Sequence, residues 1–265
     1  MTGLELPALT LITLVGAAFL AGWVDAVVGG GGLIQLPALL IGLPAQTPFA
    51  AISGTNKISS AAGTLTASIT YVRKVRLNWG HALILIATAG AGSALGAQLA
   101  RFLPKAWATP MVLVVVLAVG WYTYRRPQLG QATNLKHSGA GEWVRLAGTG
   151  LLVGAWDGLI GPGTGTFFII LLVAVIGYGF LEASALSKLA NLTTNLAALG
   201  VFAWHGQVLW GLGLAMAGAN LSGGFLGAHM AVRRGNSFVR KVFLVVVGLL
   251  ALRLGWDSVA QLWPR

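Results

Sequence analysis

Apolar residues run along this chain in stretches of membrane length, and the polar residues inside those stretches recur at an offset of about 131 residues. Phe49, Ser53, Lys57, Leu65, Ala67 and Trp79-Gly80 return as Phe180, Ser184, Lys188, Leu196, Ala198 and Trp210-Gly211. Gly92, Leu95-Gly96-Ala97 and Ala100 return as Gly223, Leu226-Gly227-Ala228 and Ala231. With one residue of slippage, Gly22, Asp25, Gly29 and Gly31 return as Gly154, Asp157, Gly161 and Gly163. The runs predict about five helical segments per half: 6–28, 32–44, 49–72, 78–101 and 106–124, then 143–160, 165–180, 182–204, 208–232 and 238–258. Between them, 125–142 is polar and contains glycine, which reads as a linker. The expected fold is all-α: one polytopic membrane domain over 1–265, with repeat one about 6–124, repeat two about 143–262, and 8–10 membrane segments, some short, broken or re-entrant.

Segment 32–44 reaches only about 20 Å as a helix, short of the ~30 Å hydrocarbon core. It either tilts beside the end of the first segment or turns back as a re-entrant hairpin. The pairs Gly92/Gly96 and Gly223/Gly227 occupy matched places in the fourth segments, where small residues at this spacing let helix backbones approach closely in lipid.

Composition sharpens the membrane reading. The chain is 56% hydrophobic and 9% charged, against roughly a quarter charged for soluble domains, and six acidic residues are too few to solvate a globular surface. The run Leu6 to Val28 lacks a basic leader and a small-residue cleavage pattern, so it is expected to stay in the mature protein. A net charge of +11 suggests nucleic acid, but the cations cluster at the ends of apolar runs: Arg73, Lys74 and Arg76; Arg125, Arg126, Lys136 and Arg145; Arg233, Arg234, Arg240 and Lys241. That distribution is what the positive-inside rule produces. It places all three clusters and the 125–142 linker in the cytoplasm, His205-Gly206-Gln207 outside, and the second repeat inverted relative to the first. Arg101, Lys105 and Arg265 fall outside the pattern. The expected partners are the lipid bilayer and a small anion, with no nucleic acid; a homodimer is left open. Cysteine is absent and the four histidines show no ligand spacing, so no metal, cofactor or thiolate chemistry is expected.

The chemistry sits in two motifs, each present twice. The tract Gly29-Gly30-Gly31-Gly32 and its counterpart Gly161-Pro162-Gly163-Thr164-Gly165 interrupt apolar stretches. Glycine costs a helix about 1 kcal/mol relative to alanine, so the helices break there, and a break inside a membrane survives only against protein or a cavity. A helix restarting after such a break offers free N–H groups to an anion. The third segments carry matched polar stripes: Ser53, Asn56, Lys57, Ser60 and Thr64, then Ser184, Ser187, Lys188, Asn191 and Asn195. Their spacing puts each set on one helical face. A lysine at mid-membrane costs about 2.5–3.5 kcal/mol on insertion scales, so Lys57 and Lys188 either snorkel to an interface or face a cavity and bind a negative ligand. Asp25 and Asp157, four residues before each break, either pair with a lysine or cap the broken helix, or else carry protons. Trp79 and Trp210 read as interface anchors.

At these residues the chain resembles a known family. The run Ala21-Gly22-Trp23-Val24-Asp25-Ala26-Val27-Val28-Gly29-Gly30-Gly31-Gly32-Leu33-Ile34-Gln35-Leu36-Pro37 is similar to the signature of the TauE/SafE membrane proteins, exporters of sulfite and organosulfonates. Gly54-Thr55-Asn56-Lys57 resembles a second signature. Trp156 to Phe167 and Lys188-Leu189-Ala190-Asn191 resemble the second-half counterparts. The resemblance implies a bacterial inner-membrane transporter of sulfur-containing anions.

The expectation is thus a secondary transporter of small anions, sulfite, sulfonate or a related oxyanion, working by alternating access. Its substrate-binding residues would be Gly30, Gly31, Gly32, Asn56, Lys57, Ser60, Pro162, Gly163, Thr164, Lys188, Asn191 and Asn195, with proton coupling through Asp25 and Asp157. The alternative is a passive anion channel of the same architecture. An enzyme is not expected, because the apolar segments hold no clustered acids, serine–histidine pairing or metal motif; a scaffold subunit would not need duplicated buried polar groups.

Overall fold

The computed structural model describes residues 6–44, 46–100, 102, 132–136 and 139–262, and these are helical without strands. Helices α1 (Ala8–Val28), α2 (Gly32–Gly42), α3 (Phe49–Lys74) and α4 (Trp79–Ala100) make up the first half. Helices α5 (Ala140–Leu159), α6 (Thr164–Leu171), α7 (Phe180–Trp204) and α8 (Trp210–Leu262) make up the second. A π-helical turn, Leu172–Ile176, extends α6, and the left-handed Gly177 ends it. The predicted segments 208–232 and 238–258 form α8, with a kink at Gly235, where φ is 69° and ψ is −165°. The predicted segment 106–124 and half of the linker lie outside the described residues.

The 32–44 ambiguity resolves in favour of turning back. A Cβ at Gly31 would meet Asp25 and Ala21 of α1, whereas one at Gly42, at the other end of α2, would meet Leu14. The short helix therefore runs back along α1 toward that helix's start.

Packing pairs the two halves reciprocally. The first helix of each half lies along the fourth of the other, α1 on α8 and α5 on α4. The third helix of each half packs on the fourth of the other, α3 on α8 and α7 on α4, and α3 meets α7. Glycines permit these contacts. A Cβ on Gly96 would stand 2.1 Å from Ala155 O, and one on Gly223 would stand 2.0 Å from Phe19 O. With lipid outside and no water to exclude, such close van der Waals contact is what holds helices together.

Apolar side chains face outward as well as inward, and a set of polar ones is hidden inside. Leu83, Leu95, Leu99, Leu152 and Leu214 are exposed, whereas Lys57, Asp157, Lys188, Asn191 and Asn195 are buried. Helices α1 and α4 are each long and apolar enough to cross a bilayer. Trp79 and Trp210 begin α4 and α8 and are both about half exposed.

Candidate functional site

The first break is built from the end of α1. Gly29 takes φ 82° and returns its N–H to Asp25 O at 2.8 Å, closing the helix with a left-handed turn. A Cβ there would fall 2.1 Å from the backbone of Gly165, so only glycine satisfies both the conformation and the approach. The last carbonyls of a helix lack intrahelical donors, and here other helices supply them. Tyr71 Oη of α3 donates to Ala26 O at 2.9 Å. Thr166 of α6 donates its hydroxyl to Val28 O at 3.0 Å and its N–H to Gly29 O at 3.2 Å. The ammonium of Lys188 donates to Asp25 O, a cation at the negative end of the α1 dipole.

The second break has its own supports. Gly161 O accepts from Thr164 Oγ1 at 2.6 Å, and Pro162 O accepts from Trp156 Nε1 at 3.0 Å. The two breaks touch: a Cβ on Gly32 would lie 3.3 Å from Pro162 Cα.

The lysines meet at these breaks, and each pairs with the aspartate of the other half. Lys57 Nζ lies 2.6 Å from Asp157 Oδ2, with side chains 4% and 2% exposed. Lys188 Nζ lies 2.9 Å from Asp25 Oδ2, with side chains 0% and 13% exposed. Neither lysine snorkels. Isolated ammonium and carboxylate groups would cost several kcal/mol each to bury; paired and hydrogen-bonded, they are sustained.

Between the pairs lies a cavity of about 20 Å³, the room of roughly one water molecule. Of the residues expected to bind substrate, Gly32, Asn56, Lys57, Ser60, Gly163, Thr164, Asn191 and Asn195 line it, together with Asp25 and Asp157. Gly30, Gly31, Pro162 and Lys188 are outside the wall; Lys188 is held behind Asp25. Gly29, Gly161 and Gly165 complete the lining. Asn56 Oδ1 and Asn195 Nδ2 are buried with no hydrogen-bond partner, so polar capacity in this wall is unused.

Two further buried polar clusters escaped the sequence reading. Gln35 Oε1 accepts from Asn220 Nδ2 at 2.7 Å and from Ser59 Oγ at 3.1 Å, tying α2 to α8 and α3. His81 Nδ1 lies 2.5 Å from Tyr178 Oη, and its Nε2 lies 3.5 Å from Glu142 Oε1. Their counterparts in the repeat are apolar, Phe167 for Gln35 and Leu212 for His81. The duplication that exposed the lysines therefore could not expose these.

A helical bundle that hides two ion pairs at touching helix breaks and turns leucine outward has the build of a membrane transporter. The comparisons agree: residues 14–254 match the family model described as "Sulfite exporter TauE/SafE". The chain belongs to the TauE/SafE family. It is 35% identical over 246 residues to a "Probable membrane transporter protein ORF9" of Sinorhizobium sp, covering 93% of this chain and 92% of that one. It is 33% identical over 245 residues to a "Probable membrane transporter protein" of Haemophilus influenzae, covering 91% and 92%. The "Probable membrane transporter protein YfcA" of Escherichia coli K12 is 29% identical over 244 residues, covering 92% and 89%. No solved structure matches.

Proposed function

We propose that the protein is a secondary transporter of a small anion, sulfur-containing as the family description suggests, with the site at the two touching helix breaks. The observation that carries this reading is the burial there of Lys57 and Lys188, each brought by a matched stripe and each beside an aspartate of the other half. In the transport cycle the ammonium groups neutralise the anion, Asn56, Ser60, Asn191 and Asn195 donate hydrogen bonds, and the first residues of α2 and α6 add backbone N–H groups. Asp25 and Asp157 are the proton carriers. The reciprocal packing of α1 on α8 and α5 on α4 supports two inverted repeats that rock about this site to alternate access. The small size of the cavity, with room for about one water, favours a carrier over a passive channel.

The orientation proposed is a bacterial inner membrane with the linker in the cytoplasm. At one end of the molecule, Lys136 N–H donates to Ile176 O at 2.9 Å, and Leu181 N–H donates to Asn236 Oδ1 at 2.6 Å. Residues of the linker thus share that end with the segment carrying Arg233, Arg234, Arg240 and Lys241. Arg73 and Lys74 share a groove with His229 of α8. Gly54 sits instead against Phe202, Gln207 and Val208, where no Lys or Arg falls within 202–208.

Thermal unfolding of purified protein with sulfite, thiosulfate, sulfoacetate or taurine tests the reading. A ligand present at 100 times its Kd stabilises by about 2.7 kcal/mol, so a concentration-dependent rise in Tm is expected with wild type and not with Lys57→Ala or Lys188→Ala. The same rise in both variants would remove the anion site from this position.

A further inference from the structure

The two ion pairs balance: Lys57 and Lys188 contribute two positive charges, Asp25 and Asp157 two negative ones; Lys57, Lys188 and Asp157 are buried and Asp25 is partly buried beside them. Asp25 comes from α1, Lys57 from α3, Asp157 from α5 and Lys188 from α7, and the cavity wall holds no other acidic, basic or histidine side chain. The nearby Tyr71 hydroxyl of α3 is committed to Ala26 O. The site without substrate is therefore electrically neutral. Enclosing one uncompensated charge in a medium of low dielectric constant costs several kcal/mol even after relaxation, so closure around a net charge is strongly disfavoured.

An anion cannot enter without disturbing this balance. The cavity has room for about one water, and both ammonium groups are engaged by carboxylates. An anion that takes an ammonium must displace its aspartate, and the displaced carboxylate is then buried without a partner.

Resting on the transport reading above, we infer that the protein is an electroneutral proton–anion symporter that binds one proton for each negative charge of its substrate, up to two. The lysine stays an ammonium throughout. The carboxylate it releases takes a proton from the side on which the anion entered. After the opposite side opens, the anion leaves, the carboxylic acid loses its proton there, and the carboxylate returns to its lysine. Both closed forms, empty and loaded, enclose zero net charge. Because each pair joins helices of different halves (α3 with α5, α7 with α1), displacement of an aspartate also releases a tie between the halves. Substrate entry thus unlocks the movement that carries it. A monoanion uses one pair and a dianion uses both, so the substrates admitted are small mono- and dianions.

Purified full-length protein in liposomes decides this, with methanesulfonate as monoanion and thiosulfate as dianion. A pH difference of one unit, imposed with the voltage clamped at zero by potassium and valinomycin, is expected to accumulate methanesulfonate about tenfold and thiosulfate about a hundredfold, one factor of ten per proton. A potential set by a roughly tenfold potassium gradient is expected to leave both ratios unchanged, whereas each uncompensated charge would shift the ratio about tenfold. Asp157→Asn, which leaves only Asp25 to take a proton, is expected to lower the thiosulfate ratio from about a hundredfold to about tenfold and to make it sensitive to voltage. If that variant does not run as a monodisperse species on gel filtration, the wild-type ratios alone decide. Accumulation that follows voltage, or ignores the pH gradient, overturns the inference while the transport reading stands. Absence of movement of these anions, and of sulfite, sulfoacetate and taurine, overturns both.

Discussion

Asp157 and Lys57 lie on different helices, α5 and α3, and meet at 2.6 Å with both side chains almost wholly buried. Removing one partner strands the other charge, which in buried pairs costs about 3–5 kcal/mol, whereas replacing both with apolar groups of similar volume is often neutral or stabilising. Lys57→Met and Asp157→Leu are each expected to lower the stability of the detergent-solubilised protein by that order, and the double variant to recover most of it without recovering transport. Denaturant unfolding beside an uptake assay reads both effects. A double variant destabilised by the sum of the two single effects would show that the pair contributes nothing as a pair. The same residues show what sequence made legible. That Lys57, Lys188, Asp25 and Asp157 stand out as candidates follows from their duplication in apolar runs. That each lysine takes the aspartate of the opposite half does not, because nothing local to Lys57 distinguishes Asp157 from Asp25.

At the scale of elements, small residues decide where helices cross. A side chain larger than hydrogen at Gly96 meets Ala155 O, whereas Gly218 on α8 has nothing within 4 Å of a Cβ. Gly96→Leu is expected to force α4 from α5 and to abolish a monodisperse peak on gel filtration. Gly218→Ala is expected to keep that peak and to gain up to about 1 kcal/mol in helix propensity. The His81–Tyr178 contact ties the start of α4 to the loop after α6. Tyr178→Phe leaves His81 buried without this partner, at an expected loss of about 1–3 kcal/mol, visible as a lower Tm; an unchanged Tm would mean the contact is not formed in the membrane protein. Segment boundaries were close to legible from apolar runs, since α5, α7 and α3 begin and end within a few residues of expectation. The return path of α2 was not, because a helix too short to cross is compatible with either tilt or reversal until its neighbour Leu14 is known.

At the scale of the whole molecule, orientation is open to a direct test because the chain has no cysteine. Single cysteines at His205 and Arg234, both exposed, report opposite ends. His205→Cys is expected to react with a membrane-impermeant maleimide on intact spheroplasts, and Arg234→Cys only after permeabilisation. Labelling of both from the same side would refute the crossing and orientation proposed for α8.

Periodicity, duplication and charge asymmetry are properties of the chain itself, and they sufficed for an all-α membrane protein with polar stripes and helix breaks at matched positions of its two halves. The lipid environment makes this so, because it demands long apolar runs and tolerates buried charge only for a reason. The partners of those charges, the contact of Gly29 with Gly165 and the asymmetric clusters around Gln35 and His81 were decided by tertiary structure alone. They depend on residues far apart in sequence brought within hydrogen-bond distance, and on packing so close that only a backbone without a side chain fits.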